Sequence, residues 1–252
     1  MLIKPRGMFR GFNRGSMMGG GATAGAPAVE LIFDETFEGA GYAEGASGIT
    51  GGWAEDPGSG GTPILDEDFD TGSVPGGTPS GWGSQCLKVV PGTSGTTTVS
   101  CTFDSPQTIL YGRLDVVFHG YGGLVDGNNL HFFWLLSSSN WPISICVSRS
   151  GSNYSLKCYY NDGADFQGPI AGPNISLDTP YRIDFKWQSN TADTGVDFRV
   201  STSFPNMGSS LGTATSGNLS GTGIVIADVA GAHVAAEFYY DNIQLATDGY
   251  CP

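Results

Sequence analysis

The chain has 252 residues with 40 Gly and 14 Pro, enough for one large all-β domain or two smaller ones and poorly suited to long helices. A net charge of −13 argues against a sequence-independent grip on nucleic acid, and no apolar run is long enough for a membrane-spanning helix. The charge is uneven: residues 1–28 are basic, so the rest carries 7 basic against 24 acidic residues, a net −17.

Residues 1–28 form an arm that cannot build a core. Lys4, Arg6, Arg10 and Arg14 supply its charge, and Met8, Phe9, Phe12, Met17 and Met18 are scattered among glycines. No secretory signal is expected, because these apolar residues do not form a continuous run. The arm is either a disordered tail or an assembly device. In the second reading the Met and Phe side chains dock as anchors while the arginines meet acidic or carbonyl groups.

From residue 29 the pattern is strand, turn, strand. Strands are expected near 29–38, 63–68, 84–91, 96–103, 109–119, 129–137, 142–149, 153–160, 180–188, 195–202, 222–228 and 234–246. Almost no helix is expected. Trp53 and Trp141 fall in predicted loops, as does Tyr121 in Gly-Tyr-Gly-Gly. In 130–136 both faces are apolar, with Leu130, Phe132, Trp134 and Leu136 on one side and Phe133 and Leu135 on the other; this strand should be central, and Trp134 should be core. In 181–187, Tyr181, Ile183, Phe185 and Trp187 face inward and Arg182, Asp184 and Lys186 outward. The last strand should bury its aromatic residues and lie beside the first. Two-faced and one-faced strands together fit two packed sheets.

Cys86 and Cys101 flank one predicted hairpin, and Cys146 and Cys158 another. Each pair is equidistant from its turn and would sit opposite across an antiparallel pair. The residues leave two outcomes open: two disulfides, or four half-buried thiols acting as small apolar groups. Cys251 is left over.

The order of Asp34-Glu-Thr-Phe-Glu-Gly-Ala-Gly-Tyr42, Ile64-Leu-Asp-Glu-Asp-Phe-Asp70, Trp82-Gly-Ser-Gln-Cys-Leu-Lys-Val89, Tyr181-Arg-Ile-Asp-Phe-Lys-Trp187 and Tyr240-Asp-Asn-Ile-Gln-Leu-Ala246 resembles the concanavalin A-like lectin/glucanase (LamG-like) superfamily, in its bacteriophage structural-protein form. The resemblance implies an all-β jelly-roll sandwich of two antiparallel sheets over 29–252, preceded by the extended N-terminal arm over 1–28. Members of that superfamily bind glycans, cleave glycans or serve as structural modules, so the fold does not choose among them.

The residues narrow the choice. Glucanases of the superfamily carry Glu-x-Asp-x-x-Glu on one strand, and no such run occurs here. His119, His131 and His233 do not pair at metal-ligand spacing. No enzyme is expected and no cofactor is required. A structural calcium is the one metal considered. Asp66, Asp68 and Asp70 offer alternate carboxylates, and the resemblance places a second candidate pair at Glu38 and Asp241, near the joined first and last strands. The alternative is that Asp241 caps backbone amides at a strand kink. Trp53, Tyr121 and Trp141 are candidate contacts for a glycan or for protein.

The resulting expectation is a non-enzymatic bacteriophage virion protein on the capsid or tail surface, most simply a capsid decoration protein tied by its arm to the major capsid or other virion proteins. A homo-oligomer is expected, with a trimer as the first guess from similar decoration proteins. Neither nucleic acid nor a membrane is an expected partner. The alternative is a glycan-binding adhesin or carbohydrate-binding module, with a surface glycan as its partner.

Overall fold

A computed structural model describes residues 29–38, 49–56, 64–90, 96–138, 140–203, 206–230 and 236–252; within these, 49–56, 64–68, 96–97 and 226–230 are described by backbone alone. The arm residues 1–28, with Lys4, Arg6, Met8, Phe9, Arg10, Phe12, Arg14, Met17 and Met18, lie outside the described residues.

The described residues form fifteen strands: β1 (Leu31–Glu35), β2 (Ile49–Asp56), β3 (Ile64–Asp70), β4 (Gln85–Val90), β5 (Thr96–Gln107), β6 (Ile109–Tyr121), β7 (Asn129–Leu136), β8 (Ile143–Ser150), β9 (Asn153–Asn161), β10 (Phe166–Ile175), β11 (Pro180–Gln188), β12 (Val196–Ser201), β13 (Ser210–Ala214), β14 (Gly221–Ala230) and β15 (Ala236–Ala246). One 3-10 turn, Thr71–Ser73, is the helical element among them. The first sheet runs β13-β12-β11-β6-β15-β4-β3, with β1 also paired to β15; the second runs β10-β9-β8-β7-β14-β5-β2. All pairings are antiparallel, and the architecture is a jelly-roll β-sandwich. The last strand does lie beside the first: Asp34 is opposite Gln244 and Glu35 opposite Ile243.

Three strands escaped the sequence reading, and each has a local reason. β2 carries Gly51 and Gly52, β10 carries Pro169 and Pro173, and β13 is a short polar run. All three are edge strands, where Gly, Pro and an interrupted ladder are tolerated because one side needs no partner. β2 corrects one assignment: Trp53 lies in a strand rather than a loop, and its side chain is outside the described residues.

The core fills the space between the sheets. Phe118 of β6 meets Phe132 of β7 edge-on at 5.1 Å and Phe238 of β15 at 5.6 Å. Phe133 of β7 meets Phe185 of β11 at 5.0 Å. Such tilted ring pairs add about 0.5–1.5 kcal/mol each beyond the area they bury. Tyr181, Ile183, Phe185 and Trp187 all point into this core, as their alternation predicts.

Bulges decide which residues join them. On β7, His131 is opposite Cys146 and Phe133 opposite Ile145, so Phe132 is an extra residue. Phe132 and Phe133 therefore both reach the core, and Tyr240 donates its hydroxyl proton to the Phe132 carbonyl from the other sheet. On β15 the register shifts between Asp241 and Gln244, with Asn242 in the left-handed region at φ 48°. Phe238, Tyr240, Ile243 and Leu245 all face inward as a result, against the simple alternation that separated the first two from the last two. A further shift opposite Glu237 and Phe238 leaves His119 extra on β6 and turns Tyr121 inward. Tyr121 is thus the buried end of β6, stacked on Tyr154 at 4.0 Å, and not an exposed loop contact.

All five cysteines are free and buried. Cys86 lies in β4 of the first sheet and Cys101 in β5 of the second, so these consecutive strands are not hairpin partners. β8 and β9 do form a hairpin, but Ser150 pairs with Asn153 across a two-residue turn with Gly151 at φ 60°. That register sets Cys146 opposite Lys157 and Cys158 opposite Ile145, one step out of line, so the two thiols point to opposite faces.

Candidate functional site

The two outer faces of the sandwich differ. On the first sheet, the chain covers itself. Residues 71–84 lie over β4, β6 and β15, where Val74 and Trp82 pack with Cys86, Val117 and Tyr239 in a second apolar cluster. Residues 250–252 lie over β6, β11 and β12. Arg182 forks onto Asp184 at 2.8 Å and donates to the Cys251 carbonyl at 2.8 Å and the Pro252 carbonyl at 3.2 Å. Arg113 pairs with Asp115 at 2.8 Å and also donates to the Pro252 carbonyl. Tyr250 packs edge-on against Tyr111 at 5.1 Å, under the Arg199 guanidinium at 4.5 Å. Arg182 and Asp184 face outward from β11 as predicted, yet this covering leaves both buried.

The outer face of the second sheet is different in kind. The Phe132 bulge that admits two phenylalanines to the core also reverses the parity of β7 beyond it. Trp134 therefore leaves the core side and joins His131 on the outside, a correction to the core placement expected from alternation. Their rings stack at 4.7 Å with planes 18° apart. Trp141, at the end of the β7–β8 connection, meets Trp134 at 4.8 Å. Phe166, the first residue of β10, lies 6.0 Å from Trp134 and 5.6 Å from Tyr159 of β9, nearly parallel to the latter at 14°. Trp141 is 40% and Phe166 39% exposed, among the most exposed large apolar side chains described.

The floor beneath these rings is polar and internally bonded. His131 Nδ1 lies 2.6 Å from Ser144 Oγ, Asn129 donates to the Tyr159 hydroxyl at 3.1 Å, and Lys157 donates to Ser148 Oγ at 2.8 Å. Burial pushes the His131 imidazole down to about 4, so it is neutral near pH 7. Trp134 Nε1 is buried and meets no acceptor among the described residues. A cleft of about 270 Å³ opens beside Trp141, lined by Ser137, Ser138 and Asn140. Flat rings over a hydrogen-bonded floor, with hydroxyls and an amide at the margin, suit a ligand with both a C–H face and hydroxyl edges.

Of the three sequence candidates for contact, only Trp141 falls on this face with a described side chain. His131, Trp134, Tyr159 and Phe166 were missed. The bulge concealed Trp134, and Pro169 and Pro173 concealed the strand that carries Phe166.

The candidate calcium ligands are occupied by amides. Glu38 accepts from the Gln85 amide and the Ser84 hydroxyl, each at 2.8 Å. The slight cost of burying Glu38 is outweighed by these bonds, which hold its carboxyl below its ordinary value. Asp241 accepts from the Gly83 amide at 3.2 Å and the Asn242 amide at 2.7 Å, at the kink made by the β15 bulge. Burial, with the nearby Asp115 and Glu38 carboxylates, pushes the Asp241 carboxyl up to about 8 against those two bonds. Asp70 caps the 3-10 turn at Gly72, and the side chains of Asp66 and Asp68 are outside the described residues. Among the described residues no three His, Cys, Asp or Glu side chains converge as metal ligands. The donor set around Glu38 and Asp241 fits amide capping better than a calcium cage, which needs six to eight oxygens.

No family model matches the chain, and no curated protein matches it at a significant level. Solved structures do share the fold. The T. cruzi calreticulin globular domain matches 87% of this chain and 89% of its own, with a TM-score of 0.57 at 12% identity. The cellulose-induced protein Cip1 matches 87% and 99%, with a TM-score of 0.54 at 15% identity. The carbohydrate esterase vb_24B_21 from Shiga toxin-encoding bacteriophage phi24B matches 88% and 100%, with a TM-score of 0.52 at 12% identity. At such identities the likeness is one of fold.

Proposed function

We propose that this chain is a non-enzymatic glycan-binding β-sandwich that uses the outer face of β7–β10 as its platform. One observation carries the reading: the chain seals the outer face of one sheet with its own segments and leaves on the other a cluster of rings, two of them about 40% exposed. An exposed ring cluster that the described residues do not cover calls for a partner. Sugar rings stack their C–H faces on aromatic side chains and offer hydroxyls to polar margins, which matches this surface. A carbohydrate esterase and a protein named for its induction by cellulose stand among the fold relatives, which supports the reading without deciding it. A glycan array on the purified chain tests it, with Trp141→Ala as the control. Binding abolished by that substitution is the expected result; an array with no hits overturns the proposal.

The setting we propose is the surface of a bacteriophage virion, with residues 1–28 as the anchor and a homo-oligomer as the working form. The specific support is the separation of charge: a basic arm free of acids joined to a body of net −17. Such an arm can seat on an acidic or carbonyl-rich neighbour while the acidic bodies repel one another and nucleic acid. Deletion of residues 1–28 should abolish incorporation into particles and leave the fold and the glycan affinity intact. Unchanged incorporation would remove the anchoring role of the arm, and absence of the full chain from particles would remove the virion assignment; either leaves the platform untouched.

A further inference from the structure

The ligand class can be narrowed from the distribution of charge around the platform, an argument that rests on the glycan reading above. We infer that the face selects neutral glycans built of sugars with equatorial substituents, and that it rejects uronate polymers.

A polyuronate needs cations placed to meet its carboxylates, usually arginine forks or lysines free to turn. Among the described residues the ring cluster holds none of the former. Its lysine, Lys157, emerges from the middle of β9 opposite Cys146 and Ala171, and its ammonium is held at 2.8 Å by Ser148 Oγ. Arg149 lies at the far end of the β8–β9 hairpin, tied to the Leu124 and Gly151 carbonyls and over the Tyr154 ring. Acids stand at the other margin. Asp162 and Asp165 sit in the turn immediately before Phe166, Asp165 exposed and Asp162 half-buried. Asp162 accepts from the amides of Asp165 and Ala164 at 3.0 and 2.9 Å, which holds its carboxyl below its ordinary value. A chain of carboxylates crossing Phe166 would pass these two charges and a body of net −17.

The floor adds a second reason. Asn129, His131, Ser144, Ser148, Lys157 and the Tyr159 hydroxyl already bond to one another in pairs. These pairings commit one donor of Lys157 and one of Asn129, whereas an anion must recover its lost hydration from strong donors free to turn toward it. A neutral sugar asks for less: its axial C–H bonds rest on the rings, and its equatorial hydroxyls reach outward to water. Sugars with all substituents equatorial leave both faces flat for this purpose, and axial hydroxyls break that contact.

Isothermal titration decides the matter. The full chain is titrated with cellohexaose and xylohexaose, then with galacturonate and alginate oligomers of matched length, at low and at moderate salt. Trp141→Ala and Phe166→Ala serve as two independent controls, their folding checked by thermal melts. The expected result is binding of a neutral oligomer that does not depend on salt, is weakened roughly tenfold or more by each control, and exceeds uronate binding by a similar factor. Tighter binding of uronates, weakening with salt and lost in either control, would overturn this inference and keep the glycan platform. Absence of binding to every oligomer would overturn the inference together with the function on which it rests.

Discussion

His131 and Trp134 lie face to face on the outer surface of β7, 4.7 Å between ring centroids, although they stand three positions apart along one strand. The bulge at Phe132 makes the contact, and the contact fixes the indole that Trp141 and Phe166 pack against. Because burial holds the imidazole near 4, below the ordinary value of about 6.5, His131 stays neutral through the physiological range. Its contribution to stability is complete above the unfolded value and is lost as pH falls toward 4. Ligand affinity should therefore be flat from neutral pH down to about pH 5, and isothermal titration across that range checks it. His131→Ala should weaken binding several-fold at every pH without introducing a pH dependence.

Asp241 behaves in the opposite sense. Its folded value near 8 exceeds that of an unfolded aspartate, so the folded chain retains a proton that the unfolded chain releases. The stabilisation is complete at acid pH and is lost as pH rises through about 8. Asp241→Asn keeps an acceptor for the Asn242 or Gly83 amide and cannot ionise. Melting temperatures measured between pH 5 and 9 should fall less with rising pH in the variant than in the parent. Parallel curves would show that Asp241 carries no raised value.

Arg182 joins β11 to the last residues of the chain through Asp184, the Cys251 carbonyl and the Pro252 carbonyl. Arg182→Ala leaves Asp184 buried without its partner, a change that costs about 3–5 kcal/mol when an ion pair is fully enclosed. It also releases the segment that carries Cys251, a residue 3% exposed whose thiol is held at about 12 by burial first of all. The native chain should react slowly with a thiol reagent, and Arg182→Ala should expose one fast-reacting thiol. Fast labelling of none would show that the segment stays docked without the guanidinium.

Gly112 lies under the Phe185 ring, where an added Cβ would come within 2.1 Å of a ring carbon. Overpacking of this kind costs about 1–3 kcal/mol. Gly112→Ala should lower the melting temperature by several degrees, and Phe185→Leu in the same chain should recover part of that loss. A loss that simply adds to that of Phe185→Leu alone would show that the two positions do not compete for space.

Much of the fold is legible in the chain. The abundance of Gly and Pro, the alternation in 181–187 and the aromatic last strand determine an all-β sandwich whose ends meet, because alternation is a local property and each strand shows it without reference to its neighbours. Trp141 is legible as an exposed side chain for the same reason: it stands between Asn140 and Pro142, outside any alternating run.

The tertiary structure decided what depends on a partner strand. A single extra residue, set by how β7 registers on β8, moved Trp134 from the core to the outer face, and a one-step register in β8–β9 turned Cys146 and Cys158 to opposite sides. Cys86 and Cys101 parted because the chain crossed between sheets where the local pattern allowed a hairpin. Register and sheet membership come from contacts between residues far apart in sequence, and a shift of one residue reverses every side chain beyond it. The platform depends on those shifts, and so it appears only in the folded chain.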